Sequence, residues 1–166
     1  MKLLTLLFTL ASSLAWAQSS TPTNKLLVAI AASVNEPVKR ANVITLHTTD
    51  SASVAYTKLA RLLLAEGHVL EKTDRELGFI NTGYYHASNR AIEVALRFVV
   101  VPQRTGALIE VRGMSRIPGM SNTLMAGDSP IEYRGMGGSP TMLAWETMAR
   151  LATGYKAPGI TYKRQL

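Results

Sequence analysis

The chain has 166 residues, a formal net charge of +7, 47% hydrophobic and 17% charged residues, and no cysteine. This length and apolar content fit one globular domain and exclude a disordered chain. The missing cysteines exclude disulfides and a lipidated N-terminal cysteine. The scattered basic residues argue against a nucleic-acid or lipid patch and leave only a mild attraction to anionic surfaces.

"MKLLTLLFTLASSLAWA" carries one cation at Lys2, an apolar run, and the small-x-small sequence Ala15-Trp16-Ala17. It reads as a secretory signal peptide over 1–17, cleaved before Gln18, with an apolar run too short to span a bilayer. Export would place the chain in a periplasm or outside the cell. Residues 18–41 read as a leader, within which "LLVAIAASV" (Leu26–Val34) is a short strand or packed segment. A single domain is expected over 42–154, followed by a basic tail, 155–166, broken by Pro158 and Gly159.

"NVITLHTT" (Asn42–Thr49) alternates as a strand, with Ile44, Leu46 and Thr48 on one face and Thr45 and His47 on the other. The period then changes. Val54, Ala55, Leu59, Leu62 and Leu63 form a helical stripe, with Asp50 or Ser51 to cap its start and Gly67 to close its end. Four strand candidates follow: His68–Thr73, Phe79–Ala87, Ala91–Val101 and Ala107–Met114. The short turns between them imply an antiparallel meander. A Gly/Met-rich loop, a short strand near Ser129–Gly135 and a second helix over Ser139–Gly154 complete the order.

These elements predict an α+β two-layer domain: an antiparallel sheet of about four to five strands, a helix packed on one face and an additional C-terminal helix. The helix "ASVAYTKLARLLLAEGHVLEKTD", the turn "DRELGFINTGY" and the strand "IEVALRFVV" resemble a family of bacterial envelope domains of unknown function. Those domains have a TATA-binding-protein-like, helix-grip β-α-β-β-β fold. The outline is also similar to the repeated domains of a lipoprotein subunit of the outer-membrane β-barrel assembly machinery. The resemblance covers Val43 to Arg112 and implies a shape; it carries over no catalytic residue.

Three site candidates arise. "TGYYHASNR" gathers Tyr84, Tyr85, His86 and Arg90, residue types common at binding hot spots, with the two tyrosines on opposite strand faces. Arg134, Gly137, Gly138 and Ser139 lie before a helix, where backbone amides attract anions. The Lys of a phosphate-binding P-loop is absent, and Ser139-Pro140 equally suits a plain helix start. Met114, Met120, Met125 and Met136 offer thioethers of the kind that bind Cu(I), or else fill gaps under a loop.

His47, His68 and His86 lack metal-site spacing, and "GMSRI" and "GGSPT" fail the Gly-x-Ser-x-Gly elbow. No motif implies a cofactor. The sequence therefore predicts a non-catalytic binding module of the envelope with a protein partner, no nucleic acid and no membrane span after signal cleavage. A small-ligand or copper-type binder using loop 114–136 is the alternative, and a hydrolase without a recognisable motif ranks below it.

Overall fold

The computed structural model describes residues 36–87, 92–118, 127–135 and 137–165. The expected signal peptide and the Leu26–Val34 run lie outside these. The elements in chain order are β1 (Val43–Thr48), α1 (Ala52–Ala65), β2 (Leu70–Asp74), β3 (Phe79–Thr82), β4 (Tyr85–His86), β5 (Glu93–Gln103), β6 (Gly106–Arg116), β7 (Ser129–Pro130), α2 (Pro140–Gly154) and β8 (Gly159–Lys163). They form one eight-stranded sheet in the order β2-β3-β5-β6-β1-β8, with β4 alongside β5 and β7 alongside β6. Every pairing among the described residues is antiparallel.

This overturns the expected sheet of four to five strands with one helix packed on its face. The expected Phe79–Ala87 strand divides into β3 and the two-residue β4, and the expected Ser129–Gly135 strand keeps only the two residues of β7. β8 arises from the supposed basic tail, where Pro158 and Gly159 signalled a break. It pairs with β1 from Val43↔Lys163 to His47↔Gly159, making β1 an interior strand between β6 and β8. That position explains why Thr45, on the face opposite Ile44 and Leu46, is buried: Glu110 and Thr161 flank it in register.

Both helices pack against the sheet and share one core. α1 contributes Ala55, Leu59 and Leu63, spaced four apart, while Val54 is 45% exposed because it lies off that line. α2 contributes Met142, Trp145, Met148 and Ala152. Trp145 lies between the rings of Tyr133 and Tyr162, at centroid distances of 5.6 and 6.0 Å. The central sheet row Ile80–Phe98–Val111–Ile44 is buried across four strands.

The expected caps divide. Gly67 closes α1 as the sequence predicts: at φ +82° its amide donates to the Leu64 carbonyl, and the His68 amide donates to that of Leu63. Ser51 occupies the N-cap position of α1 without a side-chain hydrogen bond. Asp50 instead ties the fold together. Its carboxylate accepts from Lys58 Nζ at 2.7 and 2.9 Å and from the Tyr155 hydroxyl at 3.0 Å, joining the end of β1, α1 and the end of α2. Among the described residues no helix is long and apolar enough to cross a membrane.

Three carboxyl and imidazole groups set an acid dependence. Burial pulls the His68 pKa below its usual 6.5, outweighing the opposing charge of nearby Glu66, while Arg150 pushes the same way as burial. The unfolded chain then takes up a proton that the folded chain refuses, so stability falls as pH drops below 6.5. Hydrogen bonds from Lys58 and then Tyr155 hold Asp50 below 3.8, and one from Lys163, then one from Arg112, hold Glu110 below 4.5. Their contributions are complete above those ordinary values and are lost as pH falls through the depressed ones. Urea midpoints measured from neutral to acid pH are therefore expected to fall in two stages. His68→Phe should remove the first and spare the second; an unchanged first stage in that variant would show that His68 is not its source.

Candidate functional site

Alternation along β5 and β6 sends Phe98 and Val111 into the core and sends Arg97 and Arg112 to the opposite face, where both are exposed. Cross-strand register then aligns Lys72 on β2, Asn81 on β3, Arg97 on β5 and Arg112 on β6 in one row. Arg97 and Arg112 are direct partners in the longest ladder of the sheet, Glu93↔Arg116 to Gln103↔Gly106. Like charges directly opposite each other destabilise a strand pair. No acid lies between them to offset this.

One nearby acid is Glu110, two residues before Arg112. It accepts from Arg112 Nη2 at 3.0 Å and from Lys163 Nζ, and these partners hold its carboxyl below the usual carboxylate range. Arg97 has no hydrogen bond or ion pair among the described residues. Asn81 carries a further anomaly: its Oδ1 is buried and has no hydrogen-bond partner among the described residues. Asn81, Arg97 and Arg112 line a depression of about 370 Å³ together with Ala95, Met114 and Glu71. A second depression, of about 500 Å³, shares Arg112, Gly113 and Met114 and extends to Arg164 near the C-terminus.

Of the residues singled out from the sequence, Met114 borders this face, and the other described ones lie elsewhere. Tyr84 and Tyr85 do diverge. The Arg116 guanidinium sits 3.8 Å over the Tyr84 ring, and burial, with a hydrogen bond to Asp128, pushes the Tyr84 pKa up to about 12. Tyr85 packs on the His68 ring, centroids 4.1 Å apart; burial raises its pKa, and its hydroxyl and His68 Nε2 are both buried without partners. His86 is exposed, 3.8 Å from Glu93, which also accepts from Arg116 Nε at 2.6 Å. These charges satisfy one another. Arg90 lies outside the described residues.

In the glycine loop, Ser139 Oγ accepts from the Met142 amide at 3.3 Å, so the hydroxyl serves as the N-cap of α2. Arg134 is 3.7 Å from Glu132, and Gly137 and Gly138 are exposed. Of the four methionines, Met114 projects from β6, 38% exposed, at the shared border of the two depressions. Met120, Met125 and Met136 lie outside the described residues. Among the described residues no three His, Cys, Asp or Glu are placed to hold a metal ion.

The Arg97–Arg112 pair escaped sequence reasoning, although a signal existed. Gln103 pairs with Gly106 across a two-residue connection, and counting back from that turn pairs 97 with 112. The sequence reading placed a turn over Pro102–Gly106 without fixing its register.

No family model matches the chain, and no curated protein matches it. Among solved structures it is similar to a DUF4468 family protein from Bacteroides ovatus, at 15% identity over 76% of this chain and 92% of that one, with a TM-score of 0.36. That designation states no activity, and a likeness at that score carries no weight for fold or function.

Proposed function

We propose that this chain is an exported, non-catalytic binding module of the cell envelope whose working surface is the outward face of its sheet. One observation carries the reading: the face opposite the core holds two opposed arginines, one of them unpartnered among the described residues, beside a concave surface. Like-charge opposition costs stability, and such costs persist where a surface serves another purpose. The signal-like N-terminus supports export.

Two measurements test this. Fractionation with N-terminal sequencing is expected to find a product beginning at Gln18 in the envelope; a cytoplasmic product beginning at Met1 would overturn export. A photo-reactive residue at position 99, on the outward face between Phe79 and Glu110 in register, is expected to cross-link a discrete partner. The same residue at position 64, exposed on α1, should not. Equal cross-linking from both positions would sink the assignment of the face.

A further inference from the structure

The unpartnered groups on the outward face define a ligand chemistry. Arg97 offers five N–H donors and uses none on the described protein. Arg112, directly opposite, gives one contact to Glu110 and keeps the rest. Asn81 Oδ1 is an acceptor that receives no donor among the described residues. Such an oxygen costs free energy unless something donates to it. Arg97, Arg112 and Asn81 line one depression, which suits an oxyanion with a hydroxyl or amide donor close by. The local charge agrees: Lys72, Arg97, Arg112 and Lys163 face Glu71 and Glu110, leaving an excess of cations.

We infer that this depression binds a phosphorylated polyol, such as a glycerol or sugar phosphate, with the phosphate shared by Arg97 and Arg112 and a hydroxyl donating to Asn81 Oδ1. The inference rests on the outward face being the working surface. A carboxylate has two oxygens and is matched by a single guanidinium in a bidentate pair. A phosphate ester arranges its oxygens tetrahedrally rather than in one plane, which suits guanidiniums arriving from two strands. The carbon next to an ester phosphate in a polyol is followed by a hydroxyl, which supplies the donor that Asn81 lacks. A volume of about 370 Å³ suits a headgroup-sized ligand, near the lower end of small-molecule sites. Met114 and Ala95 add an apolar border for the carbon skeleton.

The test is calorimetric titration of the whole chain, purified after export, with glycerol phosphate, inorganic phosphate and acetate. Sedimentation with phosphatidylglycerol vesicles, against phosphatidylcholine vesicles, forms a second arm. Glycerol phosphate is expected to bind more tightly than inorganic phosphate, and acetate more weakly than either. Arg97→Gln should weaken glycerol phosphate about tenfold or more, the loss expected for a charge-assisted contact. Arg61→Gln removes the same charge from an exposed position on α1 and should change it less than about twofold. Asn81→Leu should abolish the preference over inorganic phosphate. Arg97→Gln should also keep or raise the thermal midpoint, because it removes a like-charge opposition; a structural arginine would lower it.

Arginine-dependent binding to phosphatidylglycerol vesicles assigns the phosphate to a lipid headgroup, and binding of the soluble ester alone assigns it to a free metabolite. Acetate binding as tightly as the ester, equal losses from Arg97→Gln and Arg61→Gln, or no binding of any phosphate probe would overturn the proposal. If no phosphate binds while the cross-link from position 99 persists, the ligand class is wrong and the outward face stands. If both are absent, both readings fall.

Discussion

Replacing Phe98 with alanine is expected to remove about 3–5 kcal/mol of stability, the range for deleting a buried aromatic ring. Phe98 is 0% exposed and stands mid-sheet, paired with Ile80 on β3 and Val111 on β6, both of them 0% exposed as well. α1 packs against β5 and β6 above that row. The loss combines the transfer free energy of the ring with the cavity left among neighbours that β-sheet hydrogen bonds hold in place. Urea titration should show a lower midpoint at an unchanged slope. Val99→Ala, one residue along and on the opposite face, should cost about 1 kcal/mol, because Val99 is half-buried and its loss empties no enclosed cavity. Comparable losses at 98 and 99 would mean that the two faces of β5 are wrongly assigned.

The same pair of residues shows what the sequence displays and what it hides. Alternation through "IEVALRFVVV" makes the inward set Val94, Leu96, Phe98 and Val100 plain, because a run of eleven strand residues leaves no room for another period. α1 is equally legible, since Gly67 ends it through hydrogen bonds that stay within Leu63–His68. β8 is hidden for the opposite reason. "GITYK" has too few apolar residues to announce a strand; β1 supplies the partner, more than a hundred residues earlier in the chain. β4 and β7 are likewise made by their neighbours, as extensions of the ladders of β5 and β6.

The site follows the same logic. Tyr84, Tyr85, His86 and Arg90 drew notice because they are neighbours in sequence, yet the partners that decide the role of Tyr84 and His86 are Glu93 and Arg116. Arg97 and Arg112 drew none, because each is an ordinary outward-facing arginine in its own strand. Only the register of the hairpin makes them a pair, and only β3 sets Asn81 beside them. Propensity and period are local, whereas register is fixed by a turn two residues long. A turn misplaced by one residue would have sent Arg97 to a different partner.

That turn leads to the second large effect. Gly106→Ala is expected to cost about 3 kcal/mol or more, from two separable causes. Gly106 begins β6 at φ +117°, a conformation that side chains rarely adopt and that costs of order 1–3 kcal/mol for a non-glycine residue. A Cβ there would also lie 2.0 Å from the Thr48 carbonyl oxygen and 2.9 Å from Thr49 Cα. Both are backbone atoms, at the end of β1 and two residues or fewer before Asp50, so they cannot retreat without disturbing the ties to Lys58 and Tyr155. Two comparisons separate the causes. Gly67→Ala has positive φ and open space, and should show conformational strain alone, about 1 kcal/mol. Gly83→Ala has open space and no positive φ, and should be close to neutral. Thermal or urea unfolding should rank the losses Gly83 below Gly67 below Gly106. If Gly106→Ala costs no more than Gly67→Ala, the end of β1 yields freely to the new methyl group. The close approach of Thr48 to the β5–β6 turn would then contribute nothing to holding the hairpin in register.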